Sequence, residues 1–417
     1  MMCDVVSRVD PDFKVHGHVK VEVRNTDGSI AQCEEHDNYV SPFVYGALRK
    51  VTNSRFMQLK HVDATSTSVT TDLASIPGSI YMRQGLNTGL TLTDYSGVAN
   101  ERERVIHGNA LAYGGYGASS SENNKCSFNP AESYQKANSQ RFVYDFATTQ
   151  ANGSFQSVYT TMQTTNFDWI YSAGLLYKNV TFSAGIVNDG KTLIYSYDDG
   201  VTVMTVDEFI NWLQGGTSVF TDHPLSEFST NSRIAFRRGE LWWAPYFKSY
   251  VYHAPLSDLT NPTKVTTDNR VESICWHPKR DTFFTIEIVS DTRTLVERST
   301  GFAQLHTFTI PSIPSDITDL TALPEEDSII IGGRVFDIDD NANVLESRQK
   351  WHGSHGSDAS FQGCFMGDFL LDNYYLGLDL GTQYFSRARL DNPVTKNSRQ
   401  TMKITYDFTM PPIEWDN

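Results

Sequence analysis

Few side chains in this 417-residue chain stand at spacings that chemistry requires. The segment Ser196-Tyr-Asp-Asp-Gly-Val-Thr202 fits the pattern S-x-D-x-G-x-T. Its logic is local: Asp198 accepts backbone N–H bonds, Gly200 permits a positive φ, and the Ser196 and Thr202 hydroxyls tie the two strand ends. Such a turn marks a β-hairpin and carries no catalysis. Asp337-Ile-Asp-Asp-Asn-Ala-Asn343 sets oxygen-bearing side chains at alternate positions, as a calcium loop does. Ala342 stands where that loop needs Gly, and Arg348 where it needs a bidentate Glu, so a polar hairpin is the better reading.

His352 and His355 with Asp358, and His16 and His18 with Glu34, Glu35 and His36, supply nitrogen and oxygen donors. Neither group has the H-E-x-x-H spacing that fixes two imidazoles on one helix face, and both read as solvated loop histidines. Glu325-Glu326-Asp327 follows Pro324 directly and reads as an exposed turn, so no facing carboxylate pair for sugar hydrolysis is identified. A G-x-S-x-G elbow, a P-loop and a dinucleotide fingerprint are all missing from the sequence. No catalytic residue, cofactor or metal is expected.

Two aromatic segments can bind without catalysing. Leu241-Trp-Trp-Ala-Pro-Tyr-Phe-Lys-Ser-Tyr-Val-Tyr252 and Asp372-Asn-Tyr-Tyr375 offer Trp242, Trp243, Tyr246, Tyr374 and Tyr375 as ligand or interface aromatics. A flat ring face suits the apolar face of a hexose, and a phenol adds a hydrogen bond. The alternative is core packing with cross-strand aromatic pairs.

These residues must be positioned mainly by strands. A 39% hydrophobic and 12% aromatic content, with Tyr and Phe far more frequent than Met, suits half-buried pleated surfaces. A net charge of −15 with no basic run argues against nucleic acid, whose affinity comes from clustered Lys and Arg. The scattered Cys3, Cys33, Cys126, Cys275 and Cys364 form no C-x-x-C pair and read as free thiols. No signal peptide or membrane span is read, so a chain made in a cytoplasm is expected.

Alternation from Gly17 to Arg24, followed by Asn25-Thr-Asp-Gly28, predicts a first hairpin. The three- and four-residue spacing of Val40, Val44, Ala47, Leu48 and Val51 predicts a helix capped by Asp37 or Asn38, with Pro42 in its first turn. From 166 onward, short strands recur at roughly ten-residue intervals, the texture of propeller blades, four or five in number. A short helix starting near Val206, capped by Asp207 and closed by Gly215, interrupts them. The S-x-D-x-G-x-T turn is also the signature called the Asp box in sialidase-like propellers. The expected fold is all-β: a β-sandwich-like outer domain with one short helix over 1–165, a β-propeller-like repeat domain over 166–392, and a strand in 393–417 returning to the first domain.

Three pieces carry a resemblance. They are His18 to Val51, the run Phe128-Asn-Pro-Ala-Glu-Ser133 with Arg141 to Val158, and Pro393 to Tyr406. Together they resemble virion structural proteins of tailed bacteriophages, of the tail, collar or fibre type. In the middle piece Asp145, Asn152 and Gly153 match a V-x-D-F-x-T-x-Q-A-N-G-x-I-x-S-V pattern. The resemblance implies a homo-oligomeric subunit of the tail or neck adsorption apparatus, located in the virion and released by lysis. Its implied partners are other virion proteins, copies of itself and a host cell-surface glycan. A polysaccharide-degrading propeller hydrolase and a cellular propeller scaffold remain open alternatives.

Overall fold

In the computed structural model, residues 16–41, 89–98, 103–114, 123–135, 139–161, 164–166, 169–171, 174–177, 185–213, 220–311, 319–352, 363–367, 369–372 and 377–409 are described. Strands dominate among them, and the chain divides into two compact units, residues 1–172 with 382–417, and residues 173–381.

The first unit grows from the predicted hairpin. His16–Asn25 pairs with Ile30–Val40, and Gly28 closes the turn at φ +83° while its N–H donates to the Asn25 carbonyl at 3.0 Å. Alternation puts Val19, Val21 and Val23 wholly inside. Gln400–Thr409 pairs along the other edge of His16–Asn25, and its own alternation buries Met402, Ile404, Tyr406 and Phe408. Ser139–Phe146 follows on that side, and then Ser127–Phe128. On the opposite side Ile30–Val40 meets Tyr384–Lys396, which continues through Gly153–Thr161 and Gly89–Thr93 to Ala110–Gly114. A bridge between Tyr113 and Lys125 joins the two ends. The sandwich-like layering expected here is therefore made by one sheet that curls almost closed on itself, leaving few free edges.

Deep in this unit the Arg387 guanidinium stacks 4.5 Å from the Tyr95 ring and pairs with Glu103 at 3.3 Å. The predicted helix near residue 40 is corrected in part. Asn38 to Val40 continue a strand, because Tyr39 and Val40 pair with Arg387 and Ser386; residues 42–51 lie outside the described residues.

The second unit is built from four-stranded antiparallel meanders. The first contains Ile186–Asn188, Thr192–Tyr197, Gly200–Thr205 and Thr221–Pro224. The second contains Arg233–Arg237, Glu240–Ala244, Lys248–Pro255 and the start of Thr263–His277. That long strand then changes partner: from Arg270 it leads the third meander, with Thr282–Val289, Thr292–Arg298 and Gln304–Thr309. Leu320–Ala322, Ser328–Ile331, Arg334–Asp337 and Ser347–His352 form the fourth. Gly363–Met366, Phe369–Asp372 and Gly377–Leu380 form the fifth, completed by Gly174–Tyr177 from the start of the unit.

The leading strands of the five meanders neighbour one another in a closed ring, the fifth returning to the first. This is a five-bladed β-propeller, closed by pairing its first strand with its last. Apolar side chains fill the spaces between blades, as with Trp243 against Ile194 and Leu225, and Trp242 against Ile274 and Phe283. The helix Val206–Leu213 sits between strands of the first blade and buries Phe209. Its cap is Thr205, not Asp207. The Thr205 hydroxyl accepts from the Glu208 N–H at 3.1 Å while Glu208 accepts from the Thr205 N–H at 2.7 Å, a reciprocal capping box. The Thr205 N–H, and the Thr205 hydroxyl donating at 2.8 Å, hold the Glu208 carboxyl below its ordinary value.

Candidate functional site

The propeller's leading strands line an open cavity of about 110 Å³. Its lining is mainly apolar, with Ile186, Ile234, Ile274 and Leu320 among the contributors. Polar character comes chiefly from Arg233 and Asp319, whose side chains pair at 3.0 Å and are largely buried. Among the described residues Asp319 is the one carboxylate in the lining. Asn188 donates to the Phe365 carbonyl at 3.0 Å, bracing the first blade against the fifth.

The aromatic candidates separate by burial. Trp242 and Trp243 are consecutive on one strand and therefore point to opposite faces of the second blade, where each is covered by a neighbouring blade. Trp242 stacks on His253 at 4.2 Å, and the Trp243 indole donates to the Ser226 carbonyl at 3.1 Å. As ligand or interface aromatics both are corrected: they are core, because both faces of a blade are buried. Tyr246 is different. It is 46% exposed on the turn after this strand, against the also exposed Phe247. Tyr374 and Tyr375 lie outside the described residues.

Beside that turn, Glu227 accepts from the phenols of Tyr250 and Tyr252, and Lys264 lies 3.4 Å from the centre of the Tyr250 ring. The two phenols hold the Glu227 carboxyl below its ordinary value, while the same contact pushes Tyr250 up to about 12.

Ser196, Asp198, Gly200 and Thr202 do form a two-residue hairpin turn, with Tyr197 opposite Gly200. The hydroxyls act otherwise than expected: Ser196 donates to the Gly185 carbonyl at 3.2 Å and Thr202 to Asp222 at 2.6 Å, so they tie the hairpin to its two flanking segments. Gly200 is not among the residues with positive φ. It is needed because a Cβ there would stand 2.2 Å from the His223 carbonyl oxygen. Gly200→Ala is expected to cost about 1–3 kcal/mol by overpacking, read as a lower Tm of the full chain.

Among the described residues the histidines read as loop residues stand on strands instead, His16 and His18 on His16–Asn25 and His36 on Ile30–Val40. His18 pairs with Asp37 at 3.2 Å and His36 with Glu34 at 3.6 Å, while His355 and Asp358 are outside the described residues. In the Asp337–Asn343 segment the acids diverge: Asp337 accepts from Ser328 and Asp340 from Arg280. A cluster missed in the sequence gathers Glu297, His306 and Asp340. Arg280 already bridges it, at 2.9 Å from Glu297 and 2.5 Å from Asp340, so the two carboxylates share one guanidinium in an ion-pair network. Its members are too far apart in sequence for any spacing rule to join them.

Fold and site together define an all-β protein in which a five-bladed propeller is inserted into a nearly closed β-sheet domain. No family model matches the chain, and no curated protein matches it. Among solved structures it is similar to virginiamycin B lyase from Staphylococcus aureus, crystallised with quinupristin, at 11% identity and TM-score 0.31, covering 70% of this chain and 84% of that one. Myxococcus xanthus glutaminyl cyclase matches at 10% identity and TM-score 0.35, over 54% of this chain and 100% of the cyclase. The β-propeller domain of Cps50 (Swd1) from Myceliophteria thermophila matches at 18% and 0.29, over 48% and 64%. Likenesses this weak carry no argument about activity, and the propeller rests on the strand pairing of this chain.

Proposed function

We propose that the protein is a structural, non-enzymatic component of a tailed-bacteriophage virion, in the tail or neck adsorption apparatus. The nearly closed sheet docks to neighbouring subunits, including copies of itself, and the inserted propeller displays a surface to a host glycan or another virion protein. The observation that carries this reading is the manner of insertion. Thr161 and Tyr384, on adjacent antiparallel strands, are paired, so the chain leaves and re-enters the docking sheet at neighbouring strand ends without interrupting it. A module attached in this way varies independently of its mount. A further support is the described channel lining, in which the carboxylate of Asp319 is paired with Arg233. The virion location and release by lysis follow from the resemblance in residues 128–158 and 393–406.

Because Thr161 and Tyr384 are already paired, residues 173–381 can be replaced by a short turn-forming linker. Particles carrying the shortened chain are expected to incorporate it at the normal copy number and to adsorb more slowly. Loss of incorporation, or unchanged adsorption, would contradict the division of labour.

A further inference from the structure

Resting on the reading of the propeller as a display module, we infer that the turn at residues 245–248, with the crossing segment 267–270 beside it, binds an acidic polysaccharide built from hexuronic acids. Among the described residues the exposed large apolar side chains stand singly, with one exception. Tyr246 and Phe247 are adjacent, 46% and 37% exposed, with ring centroids 4.1 Å apart at 74°. Phe247 also holds φ at +56°, a left-handed conformation costly for a bulky residue. One other aromatic shares that feature, Phe302 at φ +68°, and it is 3% exposed and packed against Trp242. Burial explains Phe302 and not Phe247. Strain that packing does not repay concentrates at binding sites.

The electrostatics choose the ligand. Lys248 pairs with Val271 and Tyr250 with Thr266, so residues 267–270 have no partner on Lys248–Pro255 and loop out of that ladder beside the turn, Arg270 pairing instead with Ile288. The bulge brings the Arg270 guanidinium 5.5 Å from the Phe247 ring centre. With Lys248 and Lys264 on the same two strands, three cations stand against two carboxylates, Asp268 in the bulge and Glu227. A cationic neighbourhood in a chain of net charge −15 is a local departure that favours an anion. Ring and guanidinium are close enough for one pyranose to meet both, its C–H face on one ring of the pair and its own carboxylate on Arg270. A neutral sugar uses only the rings, and a bare phosphate only the cations.

The test is calorimetry of the purified full chain with oligogalacturonate, with the same polymer after carboxyl reduction, and with polyphosphate. Oligogalacturonate is expected to bind and the other two to bind at least about tenfold more weakly. Tyr246→Ala, Phe247→Gly and Arg270→Gln should each weaken uronate binding about tenfold or more. Phe247→Gly removes the ring at a position glycine accepts without strain, so its Tm should not fall, and loss of binding there is not loss of fold. Equal binding of the reduced polymer or of polyphosphate, or full binding by Arg270→Gln, overturns the inference. If virions contain the chain but it ignores uronate, the ligand assignment fails and the display role stands. If it binds uronate but is absent from virions, the surface stands and the display role fails.

Discussion

Replacing Arg298 by Met is expected to destabilise the propeller by about 3–5 kcal/mol, because it strips the partner from a buried carboxylate. Glu287 is wholly buried in the third blade, and Arg298 grips it with two bonds of 2.6 and 2.9 Å. Thr285 and Asn269 donate the remaining bonds to the same carboxylate, and Arg298 also donates to the Phe302 carbonyl at 3.0 Å. Every member of this network is satisfied, so removing one leaves several unpaired in a low-dielectric interior. The double variant Glu287→Leu with Arg298→Met should recover part of the loss, since no charge is then stranded. Recovery stays partial because Asn269 loses its acceptor. Denaturant unfolding of the full chain measures all of this, and an Arg298→Met cost below about 1 kcal/mol, the range of surface pairs, would contradict the burial.

Acid should weaken the same unit before its carboxylates titrate. His277 is fully buried at the end of the leading strand of the third blade, and its Nδ1 accepts the Arg280 N–H at 3.4 Å. Burial lowers its pKa to about 4, opposed by the nearby Asp327 carboxylate. The folded state thus keeps His277 neutral where the unfolded chain, near the ordinary 6.5, takes up a proton. The resulting stability is fully present above pH 6.5 and is lost as pH falls toward 4, about 3 kcal/mol in all. His277→Gln, which does not titrate, should flatten the pH dependence of unfolding between 6.5 and 5. An unchanged slope would show that His277 does not stay neutral in the fold.

Much of the architecture was legible because its signals are local. The Asn25 to Gly28 turn, the alternation through Met402, Ile404 and Tyr406, and the hairpin around Asp198 depend on residues a few positions apart. Other features depend on partners that no local rule reaches. The periodicity near Val40 resembles a helix, yet Tyr39 and Val40 are committed to a ladder with Arg387 and Ser386. Blade number was hidden because Thr263–His277 serves two blades in one unbroken strand, and because the closing strand Gly174–Tyr177 precedes the others. Trp242 and Trp243 looked available because alternation suggests one wet face, whereas blades stacked around an axis cover both.

The candidate surface was only half visible. Tyr246 stood out by residue type, but the contribution of Phe247 depends on its φ, and that of Arg270 on a register shift opposite Lys248 and Tyr250. Buried ion pairs such as Arg387 with Glu103, 284 positions apart, left no trace in composition or spacing. Asn152, singled out in the sequence only as part of a pattern, accepts from the buried Lys396 ammonium at 2.8 Å, fastening its turn to the returning strand.

The most direct test of the proposed role is mass spectrometry of purified particles from the source lysate, combined with symmetry-resolved imaging of the density that contains this chain. The expected result is a fixed copy number set by tail or neck symmetry, with the nearly closed sheet against neighbouring subunits and the propeller outward. Absence of the chain from particles, or variable trace amounts without symmetric density, would contradict the structural role.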